Sequence, residues 1–188
     1  MPTVELHIME GYSAPEKQRL GAALTDAVRL VIPAEPDLVT VIIHDMAPEN
    51  DTRGRSTRVP AAARPDPAKL VHDYLAAMEA RDLARAEAML GDSFEMQFPG
   101  AAPMRKLKEL IDWATPRYRS VTKTYEGFDT LQSTGAAAIV YCRGTLSGEW
   151  PDGTPFSGIR FIDRFEVIDD KIMRQDVWND IAETRAQA

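Results

Sequence analysis

Between residues 47 and 66 the chain has no apolar periodicity. It carries Pro48, Pro60 and Pro65, an alanine triplet at 61–63, and Arg53, Arg55, Arg58 and Arg64. Such a stretch reads as a hairpin tail followed by a semi-rigid linker, not as a packed element. It divides the 188 residues into a short first domain, 1–57, a linker, 58–65, and a longer second domain, 66–188.

The first domain reads as strand, helix, strand. Thr3-Val4-Glu5-Leu6-His7-Ile8 alternates at period two, as a half-buried strand does. Ser13-Ala14-Pro15-Glu16 has the pattern of a capping box with proline in the first turn. Leu20, Ala23, Leu24, Ala27, Val28 and Val31 then recur at helical spacing until Pro33. Val39 to His44 is the second strand. A crossover helix between two strands implies a parallel, right-handed pair. Two strands do not make an independently stable sheet. The unit is therefore expected to pair with copies of itself, as a dimer or a trimer of dimers. His7 and His44 alternate opposite the main apolar faces and show no metal-ligand spacing. No metal and no cofactor is expected.

Pro2 directly follows Met1. Removal of Met1 would leave the secondary amine of Pro2 free. An α-amino group titrates at roughly 7.7–8.0, and apolar burial lowers that value toward the range where a general base works best. By itself a Met-Pro start is equally a rigid first residue. The wider stretch MPTVELHIMEGYSAPEKQRLGAALTDAV, with VTVIIHDMAPEN after it, resembles the 4-oxalocrotonate tautomerase family. That resemblance implies a β-α-β subunit with Pro2 as the proton shuttle for enol–keto or double-bond isomerisation. At two positions where well-known members carry substrate-binding arginines this chain has Tyr12 and Thr40. Arg53 and Arg55 lie just beyond the hairpin and supply positive charge from another direction. These four are the substrate-binding candidates of the first domain.

The second domain opens with Asp66-Pro67, an N-cap followed by a first-turn proline. Leu70, Val71, Tyr74, Leu75 and Met78 form one helical face. Asp82 caps a short second helix expected to end at Gly91. A short strand over 94–98, a third helix over 104–115, and strands near 121–133, 136–149, 156–168 and 172–182 follow. Helices first and a meander of long antiparallel strands after them predict an α+β domain, a curved antiparallel sheet with three helices on one face. KLVHDYLAAMEARDLARAEAMLGDSFEM and GIRFIDRFEVIDDKIMRQDVWNDIA resemble the SnoaL-like division of the nuclear transport factor 2-like superfamily. The resemblance implies a cone with a small-molecule pocket, in a fold that hosts cyclases, isomerases, dehydratases, epoxide hydrolases and non-catalytic modules.

Within that cone Asp163 shares a strand face with Phe161, Phe165 and Val167. A carboxylate among aromatics is a candidate general acid or base. The resemblance also points to Asp176, in the Asp176-Val177-Trp178 context of a cyclase carboxylate, with Trp178 beside it. Their orientation depends on the turn at Asp169-Asp170. A two-residue turn pairs Asp163 with Asp176. A three-residue loop pairs Arg164 with Asp176, Glu166 with Arg174 and Arg160 with Asp180, and cross-strand charge complementarity favours the latter.

The net charge of −7 argues against binding held by nucleic-acid phosphates. No apolar run reaches the length of a membrane span. The lone Cys142 has no partner within the chain and there is no secretory-type start, so a cytoplasmic location is expected. The leading expectation is a tautomerase-type isomerase using Pro2 on a small carbonyl or enol compound, fused to a SnoaL-like pocket domain. The alternative is a degenerate tautomerase that serves as oligomerisation unit for a SnoaL-like ligand-binding, cyclase or isomerase domain. A third reading makes both domains sensors of a small apolar ligand.

Overall fold

The computed structural model describes residues 1–187 and divides into two compact units, Met1–Ala63 and Arg64–Ala188. In the first unit β1 (Thr3–Met9), α1 (Ala14–Arg29) and β2 (Thr40–Met46) form the β-α-β unit, with β1 and β2 parallel. Helix α1 starts where Pro15 and the Ser13–Glu16 pair dictate; the Glu16 carboxylate accepts from the Ser13 backbone N–H at 2.6 Å. A two-rung hairpin of β3 (Thr52–Arg53) and β4 (Ser56–Thr57) follows. Residues 58–63, which the composition assigns to a linker, fold back on this unit. Arg58 donates to Asp51 at 2.7 Å, and the Ala61 carbonyl accepts from the Tyr12 hydroxyl at 2.9 Å.

The second unit holds the core. Four helices, α2 (Pro67–Glu79), α3 (Leu83–Glu87), α4 (Leu107–Ala114) and α5 (Ile181–Gln187), accompany a five-stranded sheet. The strands are β5 (Leu90–Gln97), β6 (Ser120–Gln132), β7 (Ala138–Glu149), β8 (Pro155–Ile168) and β9 (Lys171–Asn179). Their order is β5-β9-β8-β7-β6, antiparallel except for the parallel β5–β9 pair. Asp66 caps α2 by accepting from the Ala68 backbone N–H at 2.9 Å. Val71, Tyr74, Phe94, Met96, Leu107, Phe165 and Ile172 are among the buried core residues.

Two local readings change. The second helix ends at Glu87, and Gly91 lies inside β5 rather than capping a helix. A Cβ at Gly91 would sit 2.3 Å from the Met173 sulfur, so the glycine makes room for that side chain. The last strand ends at Asn179 and gives way to α5, a fourth helix where three were expected.

The β8–β9 register follows the charges. Arg164 stands opposite Asp176 and Glu166 opposite Arg174. Arg160 donates to the Asp180 carboxylate at 2.7 Å. These are the pairs expected of a three-residue loop, yet the turn has two residues. Asp169 and Asp170 take φ of 46° and 63°, a primed turn between paired Ile168 and Lys171. A bulge at Met173, between the Val167–Ile172 and Glu166–Arg174 pairs, absorbs the odd residue.

No residue of the first unit is fully buried. Leu30, Val31 and Val59 are each more than 80% exposed, and the two-stranded sheet has free edges. Self-association is the expected outcome, and light scattering at micromolar concentration should give a mass above the 20.9 kDa chain; a monomeric mass would contradict this. At Gly144 in β7 an added Cβ would meet the Thr124 carbonyl oxygen at 1.9 Å, whereas at Gly21 in α1 it meets nothing within 4 Å. Gly144→Ala should therefore lower the urea-unfolding free energy by about 1–3 kcal/mol. Gly21→Ala should raise it by roughly 0.5–1 kcal/mol.

Candidate functional site

Each unit carries candidate chemistry-bearing residues, but among those of the first unit the described contacts join only Pro2 and Thr40. In the first, Pro2 is half-buried directly before β1, and its carbonyl accepts from the Thr40 backbone N–H at 3.0 Å. This bond ties the start of the chain to the first residue of β2. Thr40 is half-buried and pairs with Thr3. Tyr12 is half-buried, with its hydroxyl donated to the Ala61 carbonyl. Arg53 and Arg55 are exposed on the β3–β4 hairpin, which turns through Gly54 at φ 69°.

In the second unit the sheet and helices border two half-open, adjoining lobes of about 140 Å³ each, both lined by Phe98, Tyr118, Val121 and Lys123. One lobe reaches Tyr74, Tyr125 and Gln175; the other reaches Trp113, Phe161 and Asp163. Alternation along β8 turns Phe161, Asp163, Phe165 and Val167 inward, and Asp163 is completely buried. Its Oδ2 is ion-paired to Lys123 Nζ and accepts weakly from Gln175 Nε2 at 3.4 Å. Gln175 in turn accepts from the buried Tyr74 hydroxyl at 3.2 Å. The ammonium of Lys123 lies 4.3 Å from the centre of the Phe161 ring.

This network is incomplete. Asp163 Oδ1 and Trp113 Nε1 are buried without a hydrogen-bond partner, and both residues line the same lobe. A buried polar atom left unpaired costs on the order of 1–3 kcal/mol, so such a pair marks a place where a ligand group has something to satisfy. Burial pushes the Asp163 carboxyl well above the ordinary carboxylate range, with the Lys123 ammonium opposing. Burial also raises the Tyr74 and Tyr125 phenols. The Cys142 thiol, opposite Asp163 across β7 and β8, is pushed up to about 12, first by burial and then by the Asp163 charge. A buried carboxyl beside a lysine, among aromatic rings, can donate or accept a proton at a small ligand.

Asp176 and Trp178 require a correction. Both sit on the opposite face of β9 from Gln175 and Val177, and neither lines either lobe. Asp176 is held by Arg174 at 2.9 Å and Arg164 at 3.3 Å, and Trp178 is 52% exposed. The charge ladder fixes the register that turns them outward. Conversely, Lys123 escaped the sequence reading. The available signal was weak: a lone lysine in the alternating stretch Val121-Thr122-Lys123-Thr124-Tyr125, on the face shared by Val121 and Tyr125.

The fold and site define an α+β cone with a partly polar pocket, in a chain that begins with a β-α-β unit. Residues 71–175, more than half of the chain, match the SnoaL-like domain family, and the chain belongs to that family. Residues 2–54 match the tautomerase enzyme family, so the chain is a fusion of a tautomerase-like unit with a SnoaL-like domain. Similar solved structures share the cone. One is an NTF2-like protein of unknown function from Burkholderia pseudomallei, 16% identical, covering 63% of this chain and 93% of its own, with a TM-score of 0.53. Another is TerC co-crystallised with polyporic acid, 14% identical, covering 64% and 97%, with a TM-score of 0.53. A third is an NTF2-like protein from Burkholderia thailandensis, 21% identical, covering 66% and 99%, with a TM-score of 0.51. At these identities the likeness is one of fold. No curated protein matches the chain.

Two outcomes follow from the burial around Asp163. Cys142 should resist alkylation by iodoacetamide in the native protein and react only on unfolding; rapid native labelling would contradict its placement. The raised Asp163 carboxyl binds its proton more tightly in the folded state than in the unfolded one. Its contribution is therefore most favourable below the unfolded pKa of about 4, and is lost as pH rises through the raised folded value. The stability difference between Asp163→Asn and wild type, followed by tryptophan fluorescence, should shift in favour of the variant as pH rises to neutrality. A pH-independent difference would contradict the assignment.

Proposed function

We propose that the protein is an isomerase-type enzyme. Its first unit moves a proton α to a carbonyl through the amine of Pro2, and its second unit holds a related small carbonyl or enol compound in the cone. The observation that carries this reading is the tautomerase match, which begins at Pro2 itself and runs through the whole β-α-β unit. Pro2 is half-buried and pinned through its carbonyl to Thr40, so its nitrogen would be held at a defined end of the sheet once Met1 is removed. A free secondary amine so placed takes the proton from the enol oxygen and returns it at the α-carbon, or takes it from the α-carbon of an unsaturated carbonyl compound and returns it at the γ-carbon, a 1,3-shift with no net change in composition. Arg53 and Arg55 are the cations of the unit's hairpin that would meet an anionic substrate; Tyr12 and Thr40 supply neutral hydrogen-bonding groups. The protein would work as a homo-oligomer.

A second site for chemistry is favoured by the unpaired Asp163 Oδ1. With Lys123 on its other oxygen, Asp163 would act as acid or base on a ligand that fills the apolar lobe, an activity of the cyclase or isomerase kind.

The test is direct. A small halo-acid should label Pro2 in stoichiometric amount, read by intact-mass spectrometry and peptide mapping. Pro2→Ala should lower turnover of a phenylenolpyruvate-type enol by about 10²–10⁴-fold, the usual contribution of a positioned base. Retention of Met1 on the active protein, or unchanged turnover in Pro2→Ala, would overturn the Pro2 reading. That outcome would favour the alternative, in which the first unit only assembles the chain.

A further inference from the structure

We propose that Glu5, His7 and His44 form a site for a borderline divalent transition metal, zinc foremost, that clips β1 to β2 in the first unit. The chain has three histidines, and the parallel register places two of them directly opposite one another. Their rings stack with centroids 4.7 Å apart and planes 15° from parallel. Glu5 lies one rung away on the same face of β1. One donor atom from each of the three residues lies within 4.8 Å of the others.

The geometry suits a metal better than packing. Apolar Val4, Leu6 and Ile8 of β1 are half-buried, whereas Thr3, Glu5 and His7 are exposed. Among the described residues no hydrogen bond or ion pair holds either imidazole of the stacked pair. Zinc–nitrogen bonds of about 2.0–2.1 Å at a tetrahedral centre put ligand atoms roughly 3.3 Å apart. The three exposed side chains need to close by about 1.5 Å at most, which rotation about their side-chain bonds provides. Two imidazoles and a carboxylate form a three-ligand set that leaves the fourth position to water. Imidazole nitrogen selects zinc and its neighbours over calcium and magnesium, which take oxygen. The next rung of the same face pairs Met9 with Met46, so any further protein donor there would be a thioether sulfur, again a soft ligand.

A clip at this place has a physical reason. The first unit is small and has no fully buried residue, and domains of that size commonly need a metal, a disulfide or a partner to remain folded. The only cysteine is buried in the other unit and cannot supply a disulfide. A metal bonded to residues on both strands resists their separation and stabilises the folded state by mass action.

The probe is zinc itself, titrated calorimetrically into the chelator-stripped full-length chain at neutral pH. One ion per chain should bind, and it should raise the thermal midpoint of the first transition. Cobalt(II) in its place should give the intense visible absorption of a tetrahedral centre. His7→Gln and His44→Gln should each lower zinc affinity at least tenfold and abolish the thermal shift. Glu5→Gln should weaken binding without abolishing it, and His72→Gln, in the other unit, should change neither reading. All three positions are on the surface, so circular dichroism should show the variants folded. Absence of zinc binding up to millimolar concentration, or a His7→Gln/His44→Gln double variant that binds as wild type does, would overturn the proposal.

Discussion

The register between β8 and β9 decides what the cone contains. A slip of one residue would exchange the two faces of β9, because side chains alternate along a strand. Three opposite-sign relations prevent it: Arg164 across from Asp176, Glu166 across from Arg174, and Arg160 bonded to Asp180. Exposed cross-strand pairs contribute only about 0.2–1 kcal/mol each, but together they choose between otherwise similar registers. The choice places Gln175 and Val177 inside and Asp176 and Trp178 outside. Gln175 can then link Tyr74 to Asp163, so that β9 contributes a neutral amide instead of a second carboxylate beside the Asp163–Lys123 pair. With two carboxylates the cavity would favour a shared proton; with a lysine it favours an ion pair with one free oxygen.

The two units solve the burial problem differently. The second encloses a continuous apolar core beneath a five-stranded sheet and can leave a cavity at its centre. The first has two parallel strands and one long helix, and its apolar side chains remain half-exposed. A unit with so little buried surface is expected to need something added to remain folded. Self-association and the metal clip proposed above are the two additions that would supply it.

Much of this was legible in the sequence, and the failures have physical causes. The period-two runs, the capping signal before α1, the Asp66-Pro67 start of α2 and the break between the units were all readable, because they depend on neighbours within a few residues. The three charge pairs were readable too, but not the device that makes them. A two-residue turn with positive φ at Asp169 and Asp170, followed by a bulge at Met173, imitates the longer loop. Gly91 misled because glycine serves equally as a helix stop and as space for a neighbour, here Met173. Lys123 and the His7–His44 pair were invisible because each depends on contacts between residues far apart in sequence. Asp163 could be assigned to a face by alternation alone; its ion pair could not.

The central claim is that proton transfer at Pro2 and binding in the Asp163 cavity are separate sites in separate units. Effects at sites without shared partners add nearly independently. The most direct measurement is kcat/KM for the Pro2-dependent enol reaction in wild type and in Asp163→Asn, with circular dichroism to verify folding and Trp113 fluorescence to follow ligand entry into the cone. The account predicts unchanged enol turnover together with altered cone binding in Asp163→Asn. Loss of the Pro2-dependent activity in a folded Asp163→Asn protein would contradict it.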